Sequence, residues 1–97
     1  MKAVLYQQET GQGETKVSLS LLEDGVMQIR YEDRSELARN LYGDSSYESW
    51  AAVSPDQFQK LLFALLFEKF TGRADVLSAF RDFCVTHGVT CRNGGWS

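Results

Sequence analysis

Ninety-seven residues with 43% hydrophobic and 12% aromatic content fit one globular domain with one core and leave no room for a second. A net charge of −3, with ten basic residues scattered along the chain, argues against the basic face of a nucleic-acid binder, and the acidic excess is too small and too spread to imitate DNA. The N-terminus lacks a signal-peptide hydrophobic region, the run Leu61–Phe67 is far short of a bilayer span, and no linker composition occurs; a cytoplasmic single domain over residues 1–97, with no membrane partner, is the expectation.

The segment Lys2 to Gln8, with the apolar run Ala3 to Tyr6, predicts a first strand, closed by the polar, glycine-bearing stretch from Glu9 to Glu14. Thr15 to Leu22 alternates, placing Val17, Leu19 and Leu21 on one face and Lys16, Ser18 and Ser20 on the other. Glu23-Asp24-Gly25 is a turn signal, and Val26 to Glu32 returns with Met27, Ile29 and Tyr31 against Gln28, Arg30 and Glu32, completing a hairpin. Arg34 to Tyr42 predicts a short helix, with Ser35 as its cap and Gly43 as its stop. Tyr47 to Val53 predicts a fourth strand, whose inward side is read as that of Tyr47, Ala51 and Val53 rather than Trp50 and Ala52.

The chain is organised around Ser54 to Phe70. Ser54 is placed to cap a helix, Pro55 suits its first position, and Gln57 can close a capping box. Phe58, Leu61, Leu62 and Leu65 form one apolar stripe, and Phe63, Leu66, Phe67 and Phe70 a second beside it. Together they cover well over half of the helix circumference, more than one neighbour can bury. After Thr71-Gly72 a second helix is expected from Arg73 to His87, with Val76, Leu77, Phe80, Phe83, Cys84 and His87 on one face and Gly88 as the stop. A brief strand is expected from Val89 to Arg92. The resulting fold is α+β: an antiparallel sheet of about four strands, two main C-terminal helices on one face, and a short helix between strands three and four.

The stretch Gly43 to Trp50 gathers acids, hydroxyls and aromatics. Tyr47 and Trp50 suit rigid anchors of a binding surface, with Asp44 and Glu48 selecting a basic partner; a turn followed by a strand with core aromatics explains the same residues. The hairpin, the Gly-Asp-x-x-Tyr-Glu-x-Trp stretch and the capped Leu-rich helix together resemble small bacterial proteins, some of them immunity-like. That resemblance covers about the middle half of the chain, implies a small partner-binding protein, and carries over no catalytic residue.

The surplus of apolar helix surface points to a protein partner or a second copy, through Phe63, Phe67 and Phe70. Trp96 is either a plug over the sheet edge or a further anchor. His87, the only histidine, ends an apolar helical face, where packing or a helix C-terminus explains it without catalysis. Cys84 and Cys91 are expected to be reduced thiols, and two cysteines with one histidine at this spacing do not make a zinc site. No phosphate-binding glycine loop, serine elbow or carboxylate cluster occurs, so neither a cofactor nor a catalytic residue is assigned. A small-ligand receptor or weak enzyme, with polar contacts from Tyr47, Arg30 or His87, is the second reading.

Overall fold

The structure, a computed structural model, describes residues 1–35 and 47–95. Four strands, β1 (Lys2–Thr10), β2 (Gly13–Leu21), β3 (Met27–Ser35) and β4 (Tyr47–Val53), form one antiparallel sheet in the order β1-β2-β3-β4. Two helices follow, α1 (Phe58–Phe70), entered through a 3₁₀ turn at Pro55–Gln57, and α2 (Val76–Thr86). The fold is therefore α+β, with both helices C-terminal to the sheet. The chain divides into two compact units, Met1–Phe58 with the sheet and Gln59–Ser97 with the helices.

Within the sheet unit, the alternation of β2 and β3 sets the register. Val17 pairs with Tyr31, Leu19 with Ile29 and Leu21 with Met27, and the β3–β4 ladder continues the row through Ala51 opposite Ile29 and Val53 opposite Met27. These residues share one apolar face; a slip by one residue would turn the whole row over. The Tyr47 side of β4 is thus the apolar side, as its parity with Ala51 and Val53 suggests. The β2–β3 turn uses Asp24, whose carboxylate accepts from the Val26 N–H at 3.1 Å, and Gly25 at φ +86°. A Cβ on Gly25 would meet Cγ of Pro55 at 3.2 Å, so backbone conformation and space both favour glycine there.

The observed strands outrun the expected ones. β1 extends to Thr10 and β2 begins at Gly13, joined by a two-residue turn at Gly11 and Gln12, and β3 runs on to Ser35. Arg34 and Ser35 therefore belong to a strand, and the rest of the short helix expected over 34–42 lies outside the described residues. A bulge between Val4 and Tyr6 leaves Leu5 without a partner on β2, so Val4 falls opposite Ser18 while Tyr6 falls opposite Val17.

Within the helical unit, Phe70 is the buried anchor of α1, and its ring meets Phe80 of α2 edge-on at 6.1 Å. Val76, Phe80 and Cys84, spaced by four residues, carry the inner side of α2, while Leu77 of the expected apolar face is 62% exposed. The capping box at Ser54 does not form: the Ser54 side chain makes no cap bond, and the Gln57 side chain turns to the Asp56 carboxylate. What starts the helix is the backbone, through the Gln57 N–H to the Ser54 carbonyl, together with Pro55. α2 starts at Val76 rather than Arg73, with Asp75 at the N-cap position and its carboxylate held by Arg73 in a two-pronged ion pair.

α2 ends in a Schellman motif. Gly88, at φ +68°, donates to the Val85 carbonyl, and Val89 donates to the Cys84 carbonyl at 2.8 Å. The strand expected from Val89 to Arg92 is absent; residues 89–95 have no regular structure. Their local bonds run instead to that helix end and to Asn93, which donates to the Cys91 carbonyl.

Candidate functional site

Strand alternation divides the aromatic patch at β4. Tyr47 lies on the apolar face, its ring edge-on to Tyr31 at 6.3 Å. Glu48 and Trp50 lie on the opposite, polar face. Trp50 is the Cα partner of Arg30 on β3, and the Arg30 guanidinium reaches the Glu48 carboxylate at 3.4 Å. Trp50 is 61% exposed, so this face carries an accessible indole beside an exposed ion pair. Asp44 and Trp96, the other two expected anchors outside the helix, lie outside the described residues. Tyr47 and Arg30, named above as polar contacts for one ligand, face opposite sides of the sheet.

Further along the polar face, Glu14, Lys16, Glu32 and Arg34 line a depression of about 200 Å³. Their signs alternate, so the depression has no preference for an anion or a cation. Ser18 lies between Val4 and Arg30 on this face and is buried by its longer neighbours.

The apolar face ends in an unexpected acid. Asp33 pairs with Thr15 and Tyr47 and is buried, with one carboxylate oxygen accepting from the Tyr31 hydroxyl at 3.3 Å and the other lacking a partner among the described residues. The signal was present in the sequence: Tyr31 and Asp33 continue the two-residue period of Met27 and Ile29. Asp33 escapes notice because a charged residue ordinarily marks the end of a half-buried strand.

The second candidate surface is on the helices. Phe63 is 74% exposed and Phe67 62%, whereas Phe70, grouped with them from the sequence, is buried. Phe63, Leu66, Phe67, Phe70, Val76 and Phe80 line a groove of about 400 Å³ between α1 and α2. Cations edge the other side of the helix pair: Lys69 Nζ stands 5.7 Å from the Phe70 ring and 5.2 Å from the Phe83 ring, and Arg73 lies over Phe70. Arg73 holds the Asp75 carboxyl below its ordinary range, mainly by hydrogen bonding, and its own pKa is raised in return.

The chemically reactive groups take structural positions. The His87 ring packs against Phe83 at 4.3 Å, at the C-terminal cap of α2. Cys84 is buried and Cys91 half-buried, both as free thiols. Burial pushes the Cys84 thiol above its ordinary value. Among the described residues no three His, Cys, Asp or Glu side chains gather as a metal-binding group, and no helix is long and apolar enough to cross a membrane. No family model, no curated protein and no solved structure matches the chain.

Proposed function

We propose that the chain is a non-enzymatic protein-binding module that self-associates through α1. The observation that carries this reading is the exposure of Phe63 and Phe67, at 74% and 62%, on a helix whose Leu62 and Leu65 are also more than half exposed. Among the described residues the buried hydrophobics are Phe70 and Cys84, a small return for the conformational entropy of ordering the chain. Phe63 and Phe67, one turn apart on one side of α1, present on the order of 300 Å² of apolar surface, a substantial part of the ~800 Å² that each partner gives to a standard interface.

Charge favours a second copy as the occupant. Lys60 and Glu68 are both exposed and lie one turn either side of the exposed Ala64 on one side of α1. A two-fold axis at Ala64, with the two helices antiparallel, sets Lys60 of each copy opposite Glu68 of the other and Leu61 opposite Phe67, while the small Ala64 side chain permits close approach. Sedimentation of the wild-type chain across a concentration series tests this: the expected result is a mass that rises from 11.0 kDa to twice that value. A single 11.0 kDa species at every concentration would overturn it. Inhibition of another protein, as the resemblance to immunity-like proteins implies, would use the same helix surface.

The groove of about 400 Å³ between α1 and α2 supports a second reading, a receptor for a small apolar ligand. A metabolite-library thermal-shift screen separates the two. A ligand that seats in the groove raises Tm in a dose-dependent way, and a purely protein-binding surface gives no response.

A further inference from the structure

Among the described residues the strand order leaves β1 at an edge of the sheet, and every residue from Lys2 to Thr10 is exposed. The direction of its backbone groups follows from one bond, the Leu21 N–H to the Met1 carbonyl. Residues of a strand in an antiparallel sheet bond alternately to one neighbour and the other, so Leu19, Val17, Thr15 and Gly13 of β2 bond, like Leu21, toward β1. Their partners there are Ala3, Tyr6, Gln8 and Thr10. Lys2, Val4, Gln7 and Glu9 are left with N–H and C=O groups directed away from β2, into solvent.

The bulge at Leu5 brings these outward-directed residues to one face. Lys2 and Glu9, an odd number of residues apart, would fall on opposite faces of an unbroken strand. The extra residue returns them to the same side, across from Ser20 and Glu14 of the polar face. Glu9 thus stands directly opposite Glu14, a like-charge pair that a cation on the open side of Glu9 would relieve. Among the described residues neither Lys2 nor Glu9 has an ion-pair partner.

We propose that β1 is a docking edge for β1 of a second copy, the two strands antiparallel, with Lys2 of each opposite Glu9 of the other and Val4 opposite Gln7. This register alone pairs all the outward-directed residues with one another, and it sets a cation beside each Glu9. The two bulges then face each other across the two-fold axis, where Leu5 meets Tyr6, and the two sheets become one. The edge shares no residue with the α1 surface. Backbone pairing that buries little apolar area is the weaker contact, so it joins α1 dimers at concentrations above those that complete them.

A fluorescent peptide with the sequence of residues 2–10, titrated with the full chain and read by anisotropy, is the probe. Saturable binding is expected, and equally by the wild-type and Phe67→Asp chains, so that loss of edge pairing and loss of α1 association read separately. A peptide with its Lys and Glu exchanged is expected to bind roughly tenfold more weakly, and to regain affinity for the chain carrying Lys2→Glu with Glu9→Lys. Val4→Pro removes an outward N–H that β2 does not use, and is expected to keep the circular dichroism of the wild type while losing the peptide; if that variant does not fold, the charge exchange decides alone. Absence of saturation, equal binding of the exchanged or a scrambled peptide to the wild type, or undiminished binding by a folded Val4→Pro chain would each overturn the proposal.

Discussion

Trp50 of β4 stands directly across the ladder from Arg30 of β3, on the face of the sheet opposite to Tyr47. Three residues of separation along a strand place two aromatics on opposite sides, so the patch that reads as one surface in the sequence becomes two. Tyr47 joins Tyr31 on the apolar side, and Trp50 is left with Arg30 and Glu48 in the open. An exposed side chain in this position contributes mainly through cross-strand contact. Trp50→Ala is expected to cost less than about 1 kcal/mol in urea unfolding. A loss above about 2 kcal/mol would place the indole in a packed interior or interface.

Asp33 behaves oppositely. A carboxylate buried with one oxygen unpartnered is costly; among the described residues the hydrogen bond from Tyr31 at 3.3 Å satisfies one oxygen of Asp33 and nothing meets the second. Asp33→Asn keeps an acceptor for Tyr31 and removes the charge. Stability is expected to hold or to rise on the order of 1 kcal/mol. Denaturant unfolding checks this, and a loss of comparable size would show that the free oxygen has a partner in solution.

The buried thiol gives a pH dependence of defined sign. Burial raises the Cys84 pKa above its ordinary value of 9.0, so above that pH the unfolded chain releases the proton while the folded chain still holds it. Folding is then opposed, and stability falls as pH rises past 9. Cys84→Ala is expected to flatten this part of the stability profile. Unfolding curves between pH 8 and pH 10 for both chains make the comparison, and identical slopes would contradict it.

The charges flanking Ala64 test the register of self-association. Glu68→Lys sets like charges against each other in both symmetry-related pairs and is expected to weaken the dimer roughly tenfold. Adding Lys60→Glu exchanges the signs and is expected to restore the affinity. Sedimentation of the two variants reads the outcome; equal weakening by the single and double changes would rule out the antiparallel arrangement centred on Ala64.

Much of the sheet was legible because β2 and β3 alternate strictly and Asp24-Gly25 fixes the turn between them. The ends were not, for a physical reason: Glu9, Thr10 and Asp33 to Ser35 continue the ladders as polar residues, so hydrophobic periodicity stops before hydrogen bonding does. The bulge at Leu5 was also hidden, since an extra apolar residue in an apolar run leaves no mark on the pattern. Ser54 shows the limit of motif reading at helix ends. The spacing of a capping box was present, yet proline and the backbone N–H of Gln57 begin the helix without the serine hydroxyl. On α1 the two apolar stripes were plain, but which phenylalanine faces inward depends on α2, and Phe80 selects Phe70 over Phe63 and Phe67.

The central claim is that the exposed side of α1 is an interface. Phe67→Asp places a charge where the account puts the partner's Leu61, and at 62% exposure that charge remains hydrated in the separated chain. Sedimentation equilibrium combined with circular dichroism is the most direct measurement. The predicted result is a folded 11.0 kDa monomer where the wild type is a dimer; loss of helical signal, or a variant that still dimerises as the wild type does, would contradict the account.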